Sequence, residues 1–328
     1  MQFPPVEAPK QSHGHAVADA LAGSAAGLAL GRLGSLASWT ASVQGKDIPA
    51  PFVRPRVVVV AGKHGVAARE VSAWTQDAGD AQAQQLRAGG GPAHAAARLT
   101  GATVRFIDDY LDAPTGAIDV EAATSPEVFE AALAAGAEVA DNEIDSGADL
   151  LIPGDIGVGN TTVAAAAYGV FTRTEPVKAI GRGSGINDKV WKVKVAAVRD
   201  AMFRVRGFRE DTERVCAELT GPDFAFLVGL IAQSAARRTP VLLGEVYPTL
   251  AAYVAERLAP GTKDWLIAGQ STAEPAHAGC LEALGLTPVL ALEMKTGQGA
   301  GALAALGQLN LAAELAGEVL AEGASTSN

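Results

Sequence analysis

The segment GDIGVGNTTVAAAA, residues 154–167, combines residue types that can bind a phosphate or position a reacting group. It follows the apolar run ADLLIP, and its glycines allow the backbone to approach a ligand closely. The Asn-Thr-Thr that comes next opens an alanine-rich helix, whose first N–H groups have no partner within the helix and favour anions. Asp155 adds a carboxylate to the same turn. This segment could bind a phosphate, cap a helix or place Asp155 beside a substrate.

Two short motifs resemble nucleotide-binding sequences but lack a defining part. Gly154 to Gly159 has nearly the P-loop spacing, but Asn160 replaces the lysine that neutralises the β and γ phosphates, which disfavours a nucleoside triphosphatase. Backbone amides that meet a single phosphate, with Asn160 or Thr161 capping the helix, fit better. GQGAGA, residues 297–302, matches a dinucleotide pattern, but we expect no later strand to carry the ribose-binding acid.

Hydrolytic and metal-dependent chemistry have little support. The chain contains no G-x-S-x-G elbow, and His13 and His15 lie in the N-terminal tail. His94 and His277 are single residues in predicted helices, where packing or capping is the simpler role. His64 follows a predicted strand in GKHG and is the one histidine that points toward the presumed site, in an orienting, structural or catalytic role.

The elements that position these residues follow an alternating pattern. Helical segments such as 127–147 and 222–238 separate short apolar runs, several of which are continuous and thus typical of strands buried on both faces. We therefore predict an α/β fold, a three-layer Rossmann-like parallel sheet flanked by helices. The predicted strands are residues 56–61, 103–108, 148–153, 177–181, 239–244, 264–269 and 288–293.

Most of the predicted strands lead into glycine and polar residues. These segments are AGKHG, PGDIGVGNTT, GRGSGIND, GEVYP, GQSTAEP and KTGQGAG. In an open parallel sheet, the carboxyl ends of the strands share one edge, where ligands bind. We therefore expect the segments to gather at that edge and to hold a small phosphorylated substrate.

The two ends of the chain differ from the middle. Residues 17–45 predict helix with Gly/Ser interruptions, followed by a proline-rich link, and residues 300–321 predict a C-terminal helix. We expect residues 1–50 to pack with this helix as a small helical subdomain. Residues 51–299 would form the nucleotide-binding core, and the tail after residue 321 would be frayed.

Charge and cysteine content limit the partners. The net charge of −10 argues against nucleic acid and anionic membranes, both of which need a positive field. The basic stretch 188–209 predicts an amphipathic helix with a solvated face, although one of its lysines could bind phosphate. Cys216 and Cys280 have no metal-like spacing and predict buried thiols in a reducing compartment. Without a signal-peptide pattern or a spanning run, we expect a cytoplasmic protein.

Together, five segments resemble the nicotinate-nucleotide:dimethylbenzimidazole phosphoribosyltransferase family, over about residues 25–320. GDIGVGNTTVAAA resembles the family's highly specific G-[ED]-[ML]-G-[IM]-[GA]-N-T-T-x-A-A-A. GKHGVAAREVSAW resembles G-D-H-G-V-x-x-x-x-V-S-A-[YF], and GRGSGINDKVWKVK resembles G-x-G-[TS]-G-[IL]-[DN]-[DN] followed by a lysine. STAEPAH resembles an [FR]-S-A-E segment. MKTGQGAGA stands where the family has R-L-G-E-G-[TS]-G-A.

The resemblance implies a function in cobalamin biosynthesis. The family moves 5-phosphoribose from nicotinate mononucleotide to a benzimidazole nitrogen, giving α-ribazole phosphate and nicotinate, without a metal or other cofactor. It also implies a homodimer, to which the apolar segments 17–45 and 222–238 could contribute. The implied phosphate and ribose contacts are Gly157, Val158, Gly159, Asn160, Lys194 with Lys189 as its alternative, Thr272 and Gly297. The implied base pocket is His64, Ser72, Trp74, Gln82 and Thr296.

Several positions depart from the family pattern. Gln298 replaces the family's general base, a glutamate, and an amide cannot accept a proton near pH 7, although it can orient the incoming base. Asp155 matches a second family glutamate and becomes the candidate proton acceptor. Lys63 replaces an acid, residues 74–85 replace a proline-bearing segment, and an R-x-G-[SC]-G-N-I stretch is missing. These changes predict an altered base substrate or, alternatively, an impaired relative that binds a nucleotide or azole without efficient turnover.

Overall fold

A five-stranded, all-parallel sheet forms the centre of the molecule. The structure, a computed structural model, describes residues 1–326, with side-chain burial described through residue 322. The strand order is β2-β1-β3-β4-β5. The strands are β1 (Pro55–Gly62), β2 (Thr103–Tyr110), β3 (Leu150–Ile156), β4 (Val241–Leu243) and β5 (Leu266–Ala268). This confirms the predicted α/β class.

Helices cover both faces of the sheet. One face packs against α1 (Gln11–Ala22), α2 (Ala25–Ala29), α3 (Arg32–Gln44), α4 (Gln76–Arg87), α5 (Gly91–Thr100) and, from the other end of the chain, α14 (Ala300–Thr326). The opposite face packs against α6 (Pro126–Asp145), α7 (Asn160–Thr172), α8 (Pro176–Ala179), α9 (Asp188–Arg204), α10 (Thr212–Leu219), α11 (Pro222–Ala236), α12 (Val246–Leu258) and α13 (Pro275–Leu284). Short 3-10 helices span Gly65–Arg69 and Thr262–Trp265.

The valine run of β1 shows why the sequence forms a central strand. Val57 and Val59 pack in the cluster on the α14 side, whereas Val58 and Val60 pack in the cluster on the α11 side. Because successive side chains of a strand point to opposite faces, a strand covered on both sides must be apolar throughout. In register, Val57 lies between Val104 of β2 and Ile152 of β3.

Two of the seven predicted strands are wrong. Residues 177–179 of the run 177–181 belong to helix α8, which begins at Pro176, a residue suited to the first turn of a helix. Residues 288–293 do not form a strand. They make only one isolated bridge, between Leu290 and Gln270, just past the end of β5. Pro288 has no N–H to donate, and the pairing does not extend into a ladder.

The ends of the chain lie on the same face of the sheet. The predicted helix 17–45 is divided into α1, α2 and α3, with Ser24 capping α2 and Gly31 in the left-handed region. Asn310 of α14 binds the link before β1, since its side-chain oxygen accepts from the Phe52 N–H at 2.9 Å. Both ends share one apolar cluster with the sheet, so the subdomain boundaries at residues 50 and 300 stay a prediction.

Helix α14 extends to Thr326, beyond the end predicted at residue 321, and the frayed tail stays a prediction. The last two residues of that tail, 327–328, lie outside the described part of the chain. None of the helices between residues 1 and 326 combines the length and apolar character that crossing a bilayer requires.

Helix α11 is buried in the interior of the molecule. Every residue from 222 to 235 is buried, mainly against α6 and α12. The suggestion that 222–238 contributes to a dimer interface is therefore wrong for this helix, whose apolar faces are used within one chain. Glycines bring α6 and α11 into backbone contact: Gly136 faces the carbonyl of Phe226, and Gly229 faces the carbonyl of Leu133.

This close crossing predicts a large effect of a single methyl group. In Gly136→Ala, the added methyl would overlap the Phe226 carbonyl, so the free energy of unfolding should fall by about 1–3 kcal/mol. In the control Gly307→Ala, the methyl would have no described atom within 4 Å, and the better helix propensity of alanine should leave stability equal or up to about 1 kcal/mol higher. Urea unfolding of the two variants measures both. Equal stability of the variants would contradict the close crossing.

Candidate active site

A cleft opens at the carboxyl edge of the sheet, beside the point where the strand order reverses. The chain passes from β1 to β2 on one side and then to β3 on the other, so the segments that follow β1 and β3 diverge and leave a crevice. The cleft has a volume of about 900 Å³ including its open mouth, which is within the usual range for small-molecule sites. Segments that follow β1, β3, β4 and β5, together with residues 294–297, line it.

Most of the residues predicted from the sequence line this cleft. They are Ser72, Trp74, Gln82, Asp155, Gly157, Val158, Gly159, Asn160, Thr272, Thr296 and Gly297. Four predicted residues are not among the lining residues: His64, Lys189, Lys194 and Gln298. Residues that the sequence reasoning did not select include Ser184, Glu245, Glu274 and Lys295.

The turn after β3 is built around Asp155 and Asn160. Gly159, with φ of +96°, is the N-cap of α7 and offers no side chain to it, so the prediction that Asn160 or Thr161 caps the helix is wrong. The Asn160 side-chain amide instead donates to Oδ2 of Asp155 at 2.5 Å, and its oxygen accepts from the Thr161 N–H at 2.8 Å. The turn residues Gly157, Val158 and Gly159 line the cleft directly before α7, and a helix N-terminus at this position is suited to an anion.

Asp155 is buried at the floor of the cleft, with 3% of its surface exposed. Burial raises the pKa of its carboxyl to about 7, because a charged group is poorly solvated there; the bond from Asn160 opposes this, and the charge of Asp223 adds to it. The group can thus change its protonation state near neutral pH.

Glu245 is a second buried carboxylate on the same floor; it follows β4 and Gly244 and is the N-cap of α12. Burial, followed by the charge of Asp155, raises its pKa to about 8, while the amides of Gly301 and Gly299 oppose the shift. The Gly301 N–H donates to Oε1 at 3.4 Å, whereas Oε2 has no hydrogen-bond partner among the described residues. Its position directly after a strand, in GEVYP, was the signal that could have identified it.

Gln298 lies beside the cleft but faces away from it. Its backbone is in the left-handed region, with φ of +62°, and its N–H donates to the carbonyl of Asp155 at 3.2 Å. The side chain is buried, and its oxygen accepts from the Ala93 N–H at 3.4 Å, near the start of α5. The role predicted for this amide in orienting a base stays a prediction, and the geometry places the side chain against α5.

Lys194 lies directly behind the cleft wall. Its Nζ donates to Thr161 Oγ1 at 2.9 Å, and burial lowers the pKa of its ammonium to about 8, opposed by the charge of Glu274. Glu274 accepts from the Gly183 N–H at 2.6 Å. The predicted alternative, Lys189, is exposed on α9 away from the lining residues. Of the two lysines, Lys194 is the one whose charge acts on the cleft.

His64 also lies behind the wall rather than on it. It is 1% exposed, with Nε2 3.5 Å from Oδ2 of Asp223, and a side chain at Gly157 would meet its ring. The residues predicted for the base pocket that do line the cleft form its outer walls. Ser72 Oγ lies 3.0 Å from Ser184 Oγ, and Trp74 is 62% exposed at the mouth.

Thr272 reaches the cleft from the segment after β5. Its hydroxyl lies 2.9 Å from Nδ1 of His277, and burial lowers the pKa of His277 to about 4, so the imidazole is neutral near pH 7. The other ring nitrogen of His277 lies 3.1 Å from Thr249 Oγ1. His277 thus packs in the interior and positions Thr272.

Comparisons with known proteins agree on one family. The phosphoribosyltransferase family model matches residues 6–325. The chain is 46% identical over 296 residues to nicotinate-nucleotide–dimethylbenzimidazole phosphoribosyltransferase of Corynebacterium glutamicum strain R, covering 87% of this chain and 83% of that protein. It is 48% identical to the protein of the same name from Corynebacterium efficiens, covering 87% and 80%. Among solved structures, it is similar to CobT from Thermus thermophilus, with a TM-score of 0.87, 32% identity and coverage of 93% and 95%.

The two buried carboxylates predict that stability falls as the pH rises. Both folded-state pKa values, about 7 and about 8, lie above the ordinary carboxyl values, so the protonated forms favour folding. The stabilisation of the folded state by these two protonated carboxyl groups is fully present below about pH 4 and is lost as the pH rises through 7 to 8. We expect the melting temperature to fall by several degrees between about pH 5 and about pH 8.5.

Asp155→Asn and Glu245→Gln should each make this pH dependence shallower, as measured by thermal unfolding across the pH range. The control is Asp19→Asn, which changes an exposed carboxylate of α1 and should keep the wild-type profile. Wild-type pH dependence in both site variants would contradict the assignment.

Proposed function

The chain belongs to the phosphoribosyltransferase family whose model matches residues 6–325, and from this we propose that it transfers 5-phosphoribose from nicotinate mononucleotide to a benzimidazole-type base. The products would be α-ribazole phosphate and nicotinate. The two Corynebacterium relatives, which carry the names of these substrates, support the choice. The observation that carries it is a single cleft that combines a glycine turn at a helix N-terminus with buried carboxylates.

The phosphate would bind at the turn after β3. The turn residues Gly157, Val158 and Gly159 line the cleft, and α7 begins directly after them. Thr272 adds a hydroxyl from the opposite wall, while Asn160 lies beside the turn. Lys194 contributes positive charge from behind Thr161. A monophosphate fits this binding site, because a helix N-terminus and a buried ammonium lie close to each other there.

The flat base would enter between the outer walls of the cleft. Ser72, Trp74 and Gln82 come from one side and Thr296 from the other. In the reaction, the C1′–N bond of nicotinate mononucleotide breaks and its electron pair leaves on nicotinate. A lone pair of the azole nitrogen forms the new bond to C1′, and the azole N–H proton must move to a base. Asp155, the acceptor predicted from the sequence, and Glu245 are the carboxylates on the floor.

The alternative of an impaired relative rested on Gln298. Its main support weakens, since three carboxylates, Asp155, Glu245 and Glu274, line the cleft and none depends on position 298. Homodimer formation and a cytoplasmic location stay predictions; the two buried, unpaired thiols of Cys216 and Cys280 are consistent with a reducing compartment.

The direct test is to incubate the protein with nicotinate mononucleotide and dimethylbenzimidazole and to measure nicotinate release by chromatography. We expect release that requires both substrates and yields one ribosylated base per nicotinate. A panel of benzimidazole, 5-methylbenzimidazole and adenine would define the acceptor. Nicotinate riboside, which lacks the phosphate, is the control donor and should react poorly. If nicotinate mononucleotide stays intact with every base, the proposed activity is wrong.

A further inference from the structure

Glu245 is the acidic residue of the cleft whose carboxylate is least hydrogen-bonded within the protein. It is 6% exposed and lines the cleft, yet its Oε2 has no hydrogen-bond partner among the described residues. A buried carboxylate oxygen without a partner is costly, and such atoms are normally bonded to protein or to something that occupies the site. The free oxygen therefore points to a ligand group that donates a hydrogen bond.

Resting on the proposed function, we propose that Glu245 is the catalytic base that accepts the N–H proton of the incoming azole. Its Oε1 is anchored at the N-terminus of α14, where the Gly301 N–H donates at 3.4 Å, and its Oε2 is left for the substrate. The carboxylate thereby occupies the same end of α14 as Gln298, whose amide can neither accept a proton nor face the cleft in this geometry.

Asp155 is less suited to this role. Its Oδ2 already accepts from the Asn160 amide at 2.5 Å, and the bond ties it to the turn that meets the phosphate. Taking a proton there would oppose that bond, because a protonated carboxyl is a weaker acceptor. Asp155 instead acts on Glu245 through its charge, which raises the pKa of Glu245.

In the proposed step, the azole nitrogen lone pair bonds to C1′ while the C1′–N bond to nicotinate breaks, leaving its electron pair on the nicotinate nitrogen. The proton on the other azole nitrogen moves to Oε2 of Glu245, which becomes neutral. After product release, Glu245 returns this proton to water. No oxidant or further reactant is required.

The base must be ionised to work, so the rate should rise as the pH passes the pKa of Glu245, about 8 in the free protein. Asp155 on β3 raises that value, and removing its charge should lower it. The other titratable groups around the floor are Glu274, Lys295 and Lys194 at the walls, and His64, Asp223 and Tyr247 behind it.

The experiment compares kcat, KM and the pH profile of three variants and the wild-type protein with nicotinate mononucleotide and dimethylbenzimidazole. In Glu245→Gln, kcat should fall by about 100-fold or more and the rising limb of the profile should disappear, with KM for nicotinate mononucleotide little changed. In Asp155→Asn, the limb should remain and move to lower pH. Glu245→Asp should keep the limb at reduced kcat.

Calorimetric binding of nicotinate mononucleotide shows that each variant keeps a folded donor site. If Glu245→Gln fails to bind it, the comparison of Glu245→Asp with Asp155→Asn decides instead. A Glu245→Gln enzyme with the wild-type limb and kcat would overturn the proposal, as would loss of the limb in Asp155→Asn alone. If the wild-type protein releases no nicotinate, the proposed function has failed, which is a separate outcome.

Discussion

The N-terminus of α14 rests directly on the carboxyl ends of three neighbouring strands, and the site depends on this contact. Each of these strands presents a glycine there. A Cβ on Gly154 would lie 2.5 Å from the nitrogen of Gly299, and a Cβ on Gly244 or Gly269 would lie 3.0 Å from the Cα of Ala302. Since any side chain would separate the helix from the sheet, the three glycines are what allow the helix start to form the floor of the cleft.

This contact explains the electrostatics of the floor. It removes Asp155 and Glu245 from water while leaving Glu245 near the backbone amides of Gly299 and Gly301 at the start of α14. The amides favour negative charge, and desolvation disfavours it. Desolvation is the larger effect for both groups, since their pKa values are raised. The floor therefore holds carboxyl groups that can exchange protons near neutral pH, which a reaction that releases an azole proton requires.

Sequence patterns correctly predicted the features of the fold that depend on composition and local chemistry. The valine run of β1 predicts a doubly covered strand, and the glycine turn after β3 predicts a helix start at the sheet edge; both are correct. Strand assignments failed where local propensity was overridden, at Pro176, which starts a helix, and at Pro288, which limits pairing to one bridge.

The direction of individual side chains at the floor could not be read from the sequence. A motif comparison draws attention to position 298, yet Gln298 turns toward α5, while Glu245 reaches the cleft from a neighbouring strand end. Two adjacent loops could supply the carboxylate, and the seating of α14, that is, how it packs on the sheet, decides which one does. That seating is a tertiary contact between residues far apart in the chain, and no local pattern encodes it.

The most direct measurement is a crystal structure of the protein with bound nicotinate mononucleotide. The account predicts phosphate density against the amides of Gly157, Val158 and Gly159, with the ribose C1′ directed toward the floor formed by Asp155 and Glu245. A nucleotide bound with its phosphate away from this turn, or in another part of the molecule, would contradict it.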